Sequence, residues 1–226
     1  MTAGRRPALA AVLFDMDGTL VDTEALWWQA SCEVAAELGL VLGEADLPEV
    51  HGRAAMDTAA HLAARAPQAP GGARGLERAL VERFRGLVAL GARPLPGVRA
   101  LLDALGAEGV PMALVSASPR VVVDLVLAQL GAERFAVTVA EGETARTKPE
   151  PDPYLAAARA LGVDPAHCVA VEDSPTGAAS AEAAGCGVLA VPRGMPVPAG
   201  PRRSFVRDLT AVTPATLRGV AAAAAR

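Results

Sequence analysis

Two carboxylates, Asp15 and Asp17, stand one residue apart and run directly into Gly18 and Thr19. They close an apolar run, Ala8 to Phe14, that suits a short buried strand. In an open α/β sheet the carboxyl ends of the strands line the ligand crevice. A carboxylate pair there carries a high desolvation cost unless a cation or a proton relieves it. The pair therefore reads as a nucleophile and an acid/base around a divalent metal. The plainer alternative is a strand ending in a polar Asp-Gly turn.

The same juxtaposition recurs along the chain. Ser116 and Ser118 follow an apolar strand at 111–115, and Glu172 and Asp173 follow another at 168–171. Lys148 lies in the connection after a strand at 135–140, just before Pro149 and the next helix. In a parallel sheet these strand ends share one edge and can converge. Each has an ordinary reading alone, as a solvated lysine or a helix-capping acid; the set is what carries weight. Its chemistry is phosphoryl transfer. A hard cation takes oxygen ligands, which Asp15, Asp173 and the backbone carbonyl of Asp17 supply. Ser116 and a nearby backbone N–H, at Ala117, form a phosphate cradle where a helix opens with Pro119 at its first position. Lys148 neutralises phosphoryl oxygens and restrains the Asp15 charge. Asp15 attacks phosphorus, and Asp17 protonates the leaving oxygen and then activates a water.

The elements that must hold this set alternate. Beyond those already named, helices are expected at 98–106, 151–161 and 176–184, a fifth strand at 187–191, and an edge strand with a closing helix at 204–206 and 213–225. Strands joined by crossover helices imply an α/β fold with a doubly wound, parallel, Rossmann-like sheet. Between the first and second strands the pattern is helical only: 25–38, 44–50, 54–65 and 73–90, with a Pro/Gly breaker loop at 66–72. An all-helical cap is thus expected over residues 20–93, inserted into a core of 1–19 and 94–226. His51-Gly52-Arg53 falls on a cap loop and Glu24 at the hinge; Glu24, His51 and Arg53 are candidates for contact with the leaving group. Trp27 and Trp28 read as packing on an amphipathic helix.

Composition narrows the partners. The net charge of −4 and scattered basic residues give no stripe for nucleic acid. No apolar run reaches the ~18 residues of a membrane span, and Met1 to Phe14 lacks the cleavage site of a signal peptide. Three widely spaced cysteines, Cys32, Cys168 and Cys186, suit a reduced cytoplasm and read as small buried hydrophobes. His61 and His167 read as structural or solvent-facing. The expected partner is a small phosphomonoester, with assembly limited to a monomer or weak dimer.

The arrangement resembles the haloacid dehalogenase-like hydrolase superfamily, in its phosphatase branch with a helical cap after the first strand. Asp15-x-Asp17-Gly18-Thr19-Leu20-Val21-Asp22-Thr23-Glu24 is similar to that family's first motif, and Ser116-Ala117-Ser118 to its second. Lys148-Pro149-x-Pro151-Asp152 is similar to the third, and Val171-Glu172-Asp173-Ser174-x-x-Gly177 to the fourth. The resemblance implies Asp15 as nucleophile, Asp17 as acid/base, Ser116 and Lys148 as phosphate ligands, and Glu172 and Asp173 around Mg²⁺. Asp17 argues against the dehalogenases, which lack that second carboxylate. Ser-Ala-Ser is also similar to β-phosphoglucomutases, whose cap-loop arginine is replaced here by Ala54-Ala55. His51-Gly52-Arg53-x-x-x-Asp57 is nearer to sugar- and polyol-phosphate phosphatases. A doubly wound receiver domain storing an aspartyl-phosphate is the non-enzyme alternative; Asp17 and the helical insertion argue against it.

Overall fold

In the computed structural model, residues 9–51, 53–193 and 195–226 are described. The start of the first apolar run at Ala8, and Gly52 of the cap loop, lie outside them. By contacts the chain forms two units, one running up to Val21 and again from Pro94 onward, the other Asp22–Arg93. The division falls after Val21 because Val21 is fully buried and bridges to Asp17 and Pro94 within the first unit.

The first unit is a sheet of six strands, β1 (Ala11–Phe14), β2 (Met112–Val115), β3 (Val137–Val139), β4 (Cys168–Glu172), β5 (Gly187–Ala190) and β6 (Arg203–Phe205). Their order is β3-β2-β1-β4-β5-β6 and every pairing is parallel. The order reverses between β1 and β4, which makes that strand pair the topological switch point of a Rossmann-like sheet. β1, β2, β4 and β5 are almost wholly apolar because both faces are covered. On one face Leu13, Ala113, Ala170 and Val188 pack with Ala157 of α7 (Asp152–Leu161) and Ala178 and Ala181 of α8 (Pro175–Ala183). On the other, a Cβ on Gly187 would meet Ala224 and Val220 of α9 (Pro214–Ala224). Among the described residues its remaining α-helices are α5 (Val98–Ala107) and α6 (Arg120–Leu130).

Expectation and structure differ at Pro119 and at Cys32. Pro119 was expected at the first position of α6; it is instead the N-cap, its ψ of 148° still extended as the chain enters the helix. The proline ring fixes φ equally well for either position. Cys168 and Cys186 are fully buried, and burial pushes both thiols up to about 12. Cys32 is only half-buried, on a helix face that packs against a smaller core.

The second unit is entirely helical among its described residues: α1 (Glu24–Glu37), α2 (Leu47–Val50), α3 (Ala55–Arg65) and α4 (Gly72–Gly91), with one 3₁₀ turn at Glu44–Asp46. Val34, Leu62, Leu76 and Leu80 centre its core. Trp27 sits edge-on to Phe84 at 5.3 Å, a packing role for that indole. Among the described residues no helix of the chain is long and apolar enough to cross a membrane.

Candidate active site

Asp15 is the first residue beyond β1, and its N–H still donates to Val171 O at 3.0 Å. The ladder therefore carries its side chain to the level of Glu172, the last residue of β4, which is 0% exposed. Asp173 follows directly and is also buried. Asp15, Glu172 and Asp173 each offer a carboxylate oxygen, all within 4.8 Å of one another. Three negative charges that close in a dry site repel strongly and require a compensating cation.

One such cation is Lys148. Its side chain is 6% exposed, and its peptide bond to Pro149 is cis. An ammonium has three N–H donors, and this one meets three acceptors: Asp15 Oδ1 at 2.7 Å, Glu172 Oε1 at 2.7 Å and Val115 O at 3.0 Å. Lys148 is the only lysine in the chain; the other twenty basic residues counted with it are arginines. A planar guanidinium fork does not reproduce three donors spread around one point. Tyr154, fully buried on α7, donates its hydroxyl to the same Glu172 Oε1. The lysine ammonium also lies 5.2 Å from the centre of the Tyr154 ring.

These contacts set the proton affinities. Burial pushes the Asp15 carboxyl up to about 7; Lys148 opposes the shift, and Glu172 and Asp17 add to it. Burial also works against the Lys148 charge, but Asp15 and Glu172 outweigh it and hold the amine above its ordinary value. Burial, then the charges of Glu172 and Asp15, raise the Tyr154 phenol well above its usual value, so its oxygen keeps its proton and remains a donor.

Asp15 Oδ2 is buried without a hydrogen-bond partner. An orphaned carboxylate oxygen beside two further carboxylates, with oxygen donors only, fits a hard divalent cation. The backbone makes room for this cluster. Gly18 has φ +80°, and a Cβ there would stand 2.1 Å from Asp173 Oδ2. A Cβ on Gly177 would fall 2.0 Å from Glu172 Oε1. Gly18→Ala is expected to cost about 1–3 kcal/mol from the strained φ alone and to push Asp173 out of the cluster. Urea unfolding with and without Mg²⁺ checks both: a variant that is as stable as wild type and gains equally from Mg²⁺ contradicts this account.

The loop after β2 brings Asp17 and the two serines together. Ser116 Oγ and Ser118 Oγ each donate to Asp17 Oδ2 at 2.9 Å, and Ser118 N–H donates to Ser116 Oγ at 2.9 Å. Ala117 is exposed at the loop's apex. Arg120, which opens α6, forks onto Glu143 at 2.8 and 2.7 Å, and Glu143 accepts from Ala140 N–H at 2.9 Å. This anchor of the loop has no signal in the sequence, where Arg120 and Glu143 stand 23 positions apart with no motif between them.

In the helical unit, His51 rests edge-on against Trp28 at 5.7 Å, and its Nε2 is buried without a partner. Arg53 is exposed; its Nε donates to Pro48 O at 2.9 Å, and a terminal nitrogen lies 3.9 Å from Glu49. Glu24 is the first residue of α1 and half-buried. Asp46 accepts from Gly43 N–H, His61 and Arg65. These contacts, the Gly43 N–H foremost, draw its pKa down to about 2 and give His61 a structural role.

A switch-point carboxylate is held by a buried lysine, in a sheet interrupted after its first strand by helices, and this combination points to a class of hydrolase. The corresponding family model, haloacid dehalogenase-like hydrolase, matches residues 9–185, and the chain belongs to that family. Hexitol phosphatase A of Escherichia coli (strain K12) is 37% identical over 179 residues, covering 79% of this chain and 81% of that protein. Protein CbbY of Rhodobacter capsulatus is 36% identical over 197 residues, covering 81% of this chain and 86% of its own. The crystal structure of a CbbY variant from Rhodobacter sphaeroides in complex with xylulose-1,5-bisphosphate superposes with a TM-score of 0.78. It is 28% identical, over 92% of this chain and 99% of that one.

Proposed function

We propose that the chain is a Mg²⁺-dependent phosphatase that hydrolyses a small sugar or polyol phosphate through an aspartyl-phosphate. The observation that carries this reading is Asp15 itself. One oxygen is fixed by Lys148 and the other is buried without a partner, at the switch point of the sheet. Asp15, Asp173 and the main-chain carbonyl of Asp17 are the oxygen donors for the cation, and Glu172 lends charge from the same cluster. When bound, the cation offsets the charge of Asp15 and of the phosphoryl group.

The residues then divide the work. Ser116 Oγ and Ala117 N–H hold phosphoryl oxygens, and Lys148 neutralises them. Asp15 attacks phosphorus with a carboxylate oxygen, the bond to the leaving oxygen breaks, and Asp17 delivers a proton to that oxygen. A water then loses its proton to Asp17 and attacks phosphorus, releasing phosphate and restoring the Asp15 carboxylate. Ser116 has one O–H, which in this structure goes to Asp17. Giving it to a phosphoryl oxygen withdraws it from Asp17, which leaves that carboxylate freer for proton transfer.

Relatedness to a hexitol phosphatase and to CbbY, whose structure holds a sugar bisphosphate, supports a polyhydroxylated leaving group. Glu24, His51 and Arg53 are assigned to that leaving group. The test is a panel of sugar, polyol and nucleotide monophosphates with Mg²⁺ against EDTA. Asp17→Asn is expected to slow phosphate release from p-nitrophenyl phosphate about 10²–10⁴-fold; an unchanged rate contradicts the mechanism. Conversion of a sugar 1-phosphate to its 6-phosphate, faster than phosphate release, would establish a mutase instead.

A further inference from the structure

Tyr154 is the only tyrosine in the chain, six positions from the only lysine. The two meet on one atom, Glu172 Oε1, which accepts from both the phenol and the ammonium. We propose that Tyr154 is a positioning residue for Lys148, its hydroxyl occupying Glu172 Oε1 so that the ammonium stays shared with Asp15. A carboxylate oxygen that already accepts from a neutral donor has less charge and one fewer lone pair to offer. Lys148 is then held at 2.7 Å from both carboxylates.

Packing does not account for the hydroxyl. Tyr154 belongs to one buried cluster with Ala157, Ala170, Ala178 and Cys186, an apolar setting that phenylalanine suits equally well and where an unmatched hydroxyl is costly. Without the O–H, Glu172 Oε1 turns its full charge on the lysine and draws it from Asp15. The phosphatase reading enters only in the effect on turnover; the shared position of the ammonium is independent of it.

The composition of the chain makes this directly measurable. Protein labelled with [ζ-¹⁵N]lysine gives one side-chain ammonium resonance. It is recorded in EDTA and in Mg²⁺ for wild type, Tyr154→Phe and Leu155→Ala, whose side chain packs against the same core. Tyr154→Phe is expected to move the resonance in both conditions, and to lower kcat on p-nitrophenyl phosphate about tenfold at unchanged KM. Leu155→Ala is expected to lower the melting temperature and leave the resonance in place. A Tyr154→Phe protein that loses stability, yet keeps the wild-type resonance and kcat, overturns the proposal and leaves Tyr154 a packing residue. So does a moved resonance with wild-type kcat in a protein that turns over. A wild type that releases no phosphate from any monoester in the panel is a failure of the proposed function, and the ammonium comparison still decides the role of Tyr154.

Discussion

Asp15→Asn is expected to abolish phosphate release, lowering kcat about 10⁴-fold or more, because the amide supplies no attacking carboxylate. Its effect on stability runs the other way and depends on pH. The folded state raises the Asp15 carboxyl from 3.8 to about 7, chiefly by burial, with Glu172 and Asp17 adding and Lys148 opposing. Between those values the folded protein holds a proton that the unfolded chain has released. Stability therefore falls as pH rises through this window. Asparagine has no proton to lose. Urea unfolding in EDTA at pH 5 and pH 8 should show wild type losing stability that Asp15→Asn keeps, and Mg²⁺ should restore wild type most at pH 8. Wild-type phosphate release from Asp15→Asn would move the nucleophile elsewhere. A variant that loses as much stability between the two pH values as wild type would mean that burial does not hold a proton on Asp15.

The second large effect is at Lys148. Lys148→Ala leaves Asp15 and Glu172 buried without their shared cation, a loss of about 3–5 kcal/mol by analogy with broken buried pairs. Lys148→Arg is the sharper experiment, since charge is kept. The ammonium reaches Asp15, Glu172 and a backbone carbonyl from one point, whereas a guanidinium presents its donors in one plane and is wider. Arginine is therefore expected to lower kcat about 10²–10³-fold while losing less stability than alanine. Phosphate release and guanidinium chloride unfolding measure the two effects. Wild-type activity in Lys148→Arg would show that charge alone suffices at this position. The chain uses arginine at every other Lys/Arg position, in keeping with a geometric demand here.

The polar residues at the strand ends were legible because each breaks an apolar run abruptly, and the parallel order follows from helices between the strands. Asp15, Lys148, Glu172 and Asp173 come together for that reason. Tyr154 was not legible: at a helical spacing among alanines and leucines, an aromatic residue reads as core, and only its hydroxyl says otherwise. The bonds from Ser116 and Ser118 to Asp17 join residues about a hundred positions apart, and no pattern of charge or period announces them. Asp46, His61 and Arg65 were opaque for the same reason, since a polar trio spread over two segments of a helical unit resembles three solvated residues. Pro119 shows a finer limit, because a fixed φ marks a helix start without choosing between its cap and its first turn.

A chain with one lysine, and that one almost sealed, presents no lysine amine on its surface. Amine-reactive esters, ordinarily indiscriminate, would find a single ε-amino target, and only in molecules whose central crevice has momentarily opened. The rate of that labelling would thus count the opening events of the folded protein one at a time, with no background from other lysines to subtract.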